Sequence, residues 1–219
     1  LEDEQKNIFL LPSILTACQH LGIPVRLTII GDGRDRMALD RALAEQHLDS
    51  LAELRGFQTP KVIYQAMREH HILLLPSHFE GLGLVLLEAQ ANGCVPIASR
   101  LPGITDLCVE DGVTGLFADP NDAQSFAAQI AALRDAARWQ AYSHAGIERA
   151  HRLFSLEGRT QRYLDLIEEI RQGAYPLDVS RAVLAHRIHH LFTWKDYLPG
   201  VIRRYGGALW RAWRKRGKS

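Results

Sequence analysis

The sequence predicts an α/β protein in which a parallel sheet is flanked by helices, and three neighbouring segments carry that expectation. Ile72-Leu73-Leu74-Leu75 is apolar at every position and closed by Pro76 and Ser77, the pattern of a strand covered on both faces. From Gly83 to Ala91 the chain is apolar nearly all round, as in a helix packed inside a domain, and Asn92-Gly93 supplies a stop. Val95-Pro96-Ile97-Ala98-Ser99 then reads as the next strand. Strand, helix and strand in so few residues form a right-handed parallel crossover, whose helix opens at the carboxyl edge of the sheet.

The other elements follow the same alternation. Ile8 to Leu21 has helical periodicity, and Val25 to Ile30 is a strand ending in the turn Gly31-Asp32-Gly33. That turn begins like a dinucleotide fingerprint, but Arg36 stands where the third glycine would be and no acidic residue follows at the right distance. A turn for close approach to a ligand is the better reading of Gly31 and Gly33. Arg36 to Gln46 is expected to be a helix, Leu51 to Phe57 a strand, and Val62 to Glu69 a helix. Beyond Pro120, helices are expected over Asp122 to Leu133, capped by Asn121 or Asp122, then Ala136 to Arg149 and Leu156 to Arg171.

With 219 residues, 47% hydrophobic and 23% charged, the chain can bury one substantial core plus an appendage. The opening Leu1-Glu2-Asp3-Glu4 has neither a basic nor an apolar leader region, and no run approaches eighteen apolar residues, so a cytoplasmic protein is expected. Cys18, Cys94 and Cys108 lie among apolar neighbours without metal-ligand spacing and read as reduced core thiols, with no metal or disulfide expected. Charge is uneven. From Val179 to Ser219 there are ten Lys/Arg and one Asp, a net +9, whereas residues 1–178 carry sixteen against twenty-four, a net −8.

The chemistry centres on two carboxylates. Glu80 and Glu88 stand either side of the glycine-interrupted turn Gly81-Leu82-Gly83-Leu84. Gly81 and Gly83 leave room for backbone N–H groups to approach a phosphate, and the unpaired amides of the first helical turn favour an anion there. Glu88 lies roughly 6 Å further along the helix, at ~1.5 Å per residue, where a ribose attached to that phosphate would reach. A carboxylate accepts two hydroxyl hydrogens, so a ribose diol suits Glu88 and a sugar suits Glu80. Both glutamates also admit a plainer role, as solvated side chains complementing the helix dipole.

Pro76-Ser77, Glu80-Gly81-Leu82-Gly83, Glu88-Ala89, Gly93-Cys94-Val95-Pro96, Gly103-Ile104-Thr105-Asp106, Asp111-Gly112, Gly115-Leu116 and Asp119-Pro120 follow one another in a familiar order. Over residues 1–171 the chain resembles the C-terminal half of family 4 glycosyltransferases of the GT-B fold, a Rossmann-like domain. The resemblance implies that Glu80 contacts the donor sugar, Glu88 the ribose hydroxyls, and the amides of Gly81, Leu82, Gly83 and Leu84 the phosphates. It places Lys6 on the diphosphate, where an ammonium would offset charge developing on the leaving group, although Lys6 also reads as an ordinary surface lysine. The family's phosphate-gripping Gly-Arg pair would fall immediately before Leu1. The backbone at Gly56 and Phe57 is implied to face the base, with Phe57 equally able to be core. Pro102-Gly103 replaces two glycines, and Asp106 replaces a glutamate with a side chain one methylene shorter.

The resemblance implies the donor-binding part of a retaining, metal-independent glycosyltransferase. Its partners would be a nucleotide diphosphate sugar and a glycan or lipid-linked acceptor, in synthesis of a cell-surface polysaccharide or lipopolysaccharide. The first strand and the N-terminal acceptor domain would be absent, leaving the fragment inactive alone. A nucleotide-sugar epimerase would need further acid/base residues around the sugar, and a non-catalytic nucleotide-sugar binding module would show binding without turnover. Residues 172–219 form an expected basic extension, with Leu198, Val201, Ile202, Tyr205, Leu209 and Trp213 at helical spacing around Gly206-Gly207. Such a helix suits an anionic membrane surface or the missing domain, with nucleic acid not expected. His186 and His190, four apart, read as solvated or stacked rather than as metal ligands.

Overall fold

The computed structural model describes residues 1–173. The chain opens with α1 (Asp3–Lys6), α2 (Leu10–His20), β1 (Leu27–Ile30), α3 (Arg36–Glu45), β2 (Ala52–Gly56) and α4 (Pro60–Glu69). The central crossover is β3 (Ile72–Leu75), α5 (Leu84–Ala91) and β4 (Val95–Ser99). Then come α6 (Thr105–Cys108), β5 (Leu116–Ala118), α7 (Ala123–Ala132), α8 (Ala136–Phe154) and α9 (Leu156–Arg171).

The parallel α/β layering is as expected, but the strands form two sheets. β3, β4 and β5 pair in parallel, with Ile72 opposite Val95 and Ile97 opposite Leu116. All five residues of β4, the middle strand, are buried, which is why its sequence carries no polar alternation. β1 and β2 form a separate parallel pair, Leu27 opposite Ala52 and Ile29 opposite Leu54. One edge of β1 and one of β3 therefore stay unpaired among the described residues, and both border a cavity of about 650 Å³. Leu27 and Thr28 both line it, and consecutive strand residues point to opposite faces, so the cavity meets β1 along its edge. Leu11, Leu15 and Trp139 close it from the helices, while His70 Nε2 meets Thr28 Oγ1 at 2.9 Å.

The boundaries differ locally. α4 starts at Pro60 rather than Val62, because proline at the first helical position lacks only an N–H that has no helical acceptor there. Asp122 caps α7, accepting from the amides of Gln124 and Ser125, whereas Asn121 adopts a left-handed backbone with φ 64°. α1, α6 and β5 had no counterpart in the sequence reading. Cys18, Cys94 and Cys108 are buried free thiols, and burial pushes the Cys94 thiol up to about 12.

The chain divides into two compact units, Leu1–Arg162 and Tyr163–Ser219, where the sequence reading placed a boundary after residue 171. Within the second unit, Leu164, Leu166 and Ile167 of α9 are exposed and the Arg171 guanidinium forks onto Glu168 at 2.7 Å. The expected basic amphipathic extension and the His186–His190 pair lie outside the described residues. No helix among the described residues is long and apolar enough to cross a membrane.

Candidate functional site

The glycine turn shapes the start of α5. Gly83 is its N-cap, with φ 64° and ψ 33°, a left-handed conformation that penalises any side chain. A Cβ there would also stand 3.2 Å from Leu86 Cδ1. No side chain caps this helix, and among the described residues the amides of Gly81, Leu82, Gly83, Leu84 and Val85 donate to no protein acceptor. Five N–H groups at one helix start, carrying the positive end of the helix dipole, can hold an anion. Cys108 Sγ reaches Leu82 O at 3.1 Å and supports the turn, while Leu82 and Leu84 project their side chains into solvent. Asp106 is exposed on α6.

Glu80 is buried at 6% exposure and is held by two donors on one oxygen. Ser77 Oγ and Lys6 Nζ each reach Glu80 Oε1 at 2.7 Å, so the carboxylate charge is met by an ammonium and a hydroxyl. Lys6 thus sits on Glu80, separated by 74 positions in sequence. α1, which carries it, consists of Asp, Glu, Gln and Lys and buries none of them, so polar contacts fix its place. The amides of His78 and Phe79 donate to Gln5 O at 2.9 and 3.4 Å. Asn7 ends α1 with φ 51° and donates through Nδ2 to Asn121 Oδ1 at 3.0 Å. His78 Nε2 meets that same oxygen at 2.6 Å, and His78 Nδ1 faces Glu4 O at 3.4 Å.

Glu88 is half-buried in α5, whose neighbouring Leu86, Leu87, Ala89 and Gln90 are all buried. Its carboxylate accepts the Tyr64 hydroxyl at 3.2 Å on Oε1. That charge and hydrogen bond raise the Tyr64 pKa, so the phenol keeps its proton.

The remaining candidates gather where β1 and β2 end. Gly31 N donates to Gly56 O at 2.8 Å. Gly56 has φ 67° and lies under Arg36, whose Nη1 would be 3.1 Å from a Cβ. Phe57 is 79% exposed, which removes the core alternative for it. Leu1 lies over Gly31 and Gly33, and its backbone nitrogen meets Asp32 O. From there Leu1–Asn7 runs to Gln5 on His78 and Lys6 on Glu80, linking the carboxyl ends of β1 and β3. Lys6 and Glu80 meet directly, and Glu80 and Glu88 flank the turn of free amides. The sequence reading missed Tyr64, His78 and Asn121 as site residues and saw Ser77 only as part of a motif. A polar residue two or three positions before Glu80 was the available signal for Ser77 and His78.

A family model described as glycosyl transferases group 1 matches residues 1–135. The amylovoran biosynthesis glycosyltransferase AmsK of Erwinia amylovora is 36% identical over 107 residues, 46% of this chain and 26% of that protein. A D-inositol 3-phosphate glycosyltransferase of Thermomonospora curvata is 30% identical over 151 residues, 68% of this chain and 34% of that protein. This chain therefore spans about a quarter to a third of these two curated relatives. Among solved structures, Anabaena Alr3699/HepE in complex with UDP and glucose superposes with a TM-score of 0.67 at 22% identity, covering 77% of this chain and 46% of that one. With a family model covering more than half its length and the matching α/β fold, this chain belongs to the glycosyl transferases group 1 family, proteins of GT-B type.

Proposed function

We propose that this chain is the donor-binding, C-terminal part of a retaining family 4 glycosyltransferase that moves a sugar from a nucleotide diphosphate sugar to a glycan or lipid-linked acceptor. The observation that carries the reading is the turn of free amides at Gly81–Val85, flanked by Glu80 and Glu88. The diphosphate sits on those amides and its ribose lies toward Glu88. The donor sugar lies toward Glu80, with the base near Gly56 and Phe57. When the bond from the anomeric carbon to the diphosphate breaks, negative charge grows on the departing oxygens. The amides and Lys6 offset it, Lys6 exchanging part of its contact with Glu80 for the phosphate. Glu80 orients the sugar through its hydroxyls, and Ser77 keeps that carboxylate fixed while Lys6 moves.

The rest of the active site belongs to a longer protein in this reading. A strand preceding Leu1 fills the cavity between β1 and β3, and an N-terminal domain supplies the acceptor side. Leu1 lies at the carboxyl end of β1, so a segment entering through the cavity would run parallel to both strands. In this reading the sugar enters a cell-surface polysaccharide or lipopolysaccharide, made on the cytoplasmic face of a membrane; the relative from Erwinia amylovora is named for amylovoran biosynthesis.

A thermal-shift panel of UDP-, GDP- and ADP-sugars tests the donor site. At least one should raise the melting temperature, and Glu88→Ala should reduce that rise more than removal of residues 174–219 does. Equal effects, or no rise with any donor, would remove the site. Transfer to an acceptor by the protein with its N-terminal half restored then separates a transferase from a module that binds without turnover.

A further inference from the structure

The Glu88 carboxylate has one hydrogen-bond partner among the described residues, and that partner comes from a different helix. Tyr64 sits on α4, its ring packed against the buried cluster of Met67, Ala89 and Cys94. The hydroxyl leaves this apolar bed and donates to Glu88 Oε1 at 3.2 Å. A ring wedged among apolar neighbours has few rotamers, so its hydroxyl is a fixed point, whereas an unheld Glu side chain has three rotatable bonds. Each carboxylate oxygen has two acceptor directions, so Oε1 can hold the phenol and still take a hydroxyl while Oε2 takes another. Given the reading of Glu88 above, we propose that Tyr64 is a positioning residue that holds the Glu88 carboxylate in the orientation needed to grip the ribose diol of the donor. The charge of Glu88 raises the Tyr64 pKa, which favours the protonated, donating form of the phenol beside that carboxylate.

Tyr64→Phe removes one oxygen and keeps the packed ring, so it isolates this function from the core. The measurement is the calorimetric Kd of UDP, GDP and ADP, and then of the 2′,3′-dideoxy form of whichever binds tightest. It is made on the wild-type chain, Tyr64→Phe and Glu88→Ala. Tyr64→Phe should weaken the ribonucleotide about 3- to 10-fold, as expected for loss of one orienting hydrogen bond. It should change the dideoxy form less than twofold, since that ligand offers Glu88 nothing to grip. Equal weakening of both ligands, or of neither, overturns the positioning function. If Glu88→Ala weakens the ribonucleotide and Tyr64→Phe does not, the inference alone falls. If Glu88→Ala changes nothing, or if the wild-type chain binds none of the three diphosphates, the ribose reading falls and takes this one with it.

Discussion

The two ends of the candidate site are built differently. At the Glu80 end the carboxylate is buried, its charge met within the protein by Lys6 and Ser77, and the lysine is located by the polar bracket of Gln5, Asn7, His78 and Asn121. At the Glu88 end the carboxylate is half-buried and meets only a neutral phenol. A buried ion must be compensated for the fold to stand, whereas a half-exposed one can leave acceptor capacity to a ligand. Under the proposed function, the Glu80 end therefore couples stability to donor handling, and the Glu88 end separates them.

Removing a carboxylate at the first end should have the largest effect. Glu80→Ala in the whole enzyme should lower transfer by about two orders of magnitude or more, measured as kcat/KM with the natural donor. It should also lower the stability of the chain in urea, because it leaves the Ser77 hydroxyl without its acceptor.

Lys6→Met sharpens the contrast. It leaves a buried carboxylate with one hydroxyl donor, and because Lys6 is itself 38% exposed the cost should be about 1–3 kcal/mol in chemical denaturation, below that of a fully enclosed pair. Glu88→Ala should change stability by no more than about 0.5 kcal/mol, as expected of a position held by one contact to a neutral group. Its nucleotide diphosphate affinity should nevertheless fall roughly tenfold, about 1.4 kcal/mol. Equal stability losses for the two variants would erase the distinction between the ends.

Between them, Gly83→Ala should cost about 1 kcal/mol or more, since its φ of 64° and the 3.2 Å approach to Leu86 both oppose a methyl group. Donor binding should weaken with it as the amides shift.

The smallest effect expected is a chemical one. Cys94 packs beside Tyr64, and burial holds its thiol neutral up to about 12. The unfolded thiol ionises near its ordinary range, so the stability it supplies is full below that range and is lost as pH climbs toward 12. At pH 8 Cys94 should react with a disulfide reagent only as fast as the fold opens. Rapid labelling would show the Glu88 side to be looser than its packing indicates.

Much of this was legible in the sequence. β3, α5 and β4 fell where a fully apolar run, an apolar helix and a second run placed them, because burial on both faces leaves no other pattern. Glu88 and the turn before it stood out for another reason: an ionisable residue in an apolar helix and paired glycines ahead of it are both costly without a purpose. Four-residue α1 and α6 and three-residue β5 are shorter than the window in which periodicity can be counted. The Lys6–Glu80 pair joins positions 74 apart, and Tyr64–Glu88 joins two helices, so neither exists until the fold brings the elements together. Asn121 and Asp122 were equal candidates for one cap, and the left-handed backbone of Asn121 decided it, freeing that side chain for Asn7 and His78. The division into two sheets was invisible because each strand's pattern records its burial, not its neighbour.

The central claim is best tested by a crystal structure of the chain with a bound nucleoside diphosphate. Phosphate oxygens should lie within hydrogen-bond distance of the amides between Gly81 and Val85, and ribose hydroxyls on the Glu88 carboxylate. A ligand seated in the cavity between β1 and β3, or phosphates held by side chains away from that turn, would contradict it.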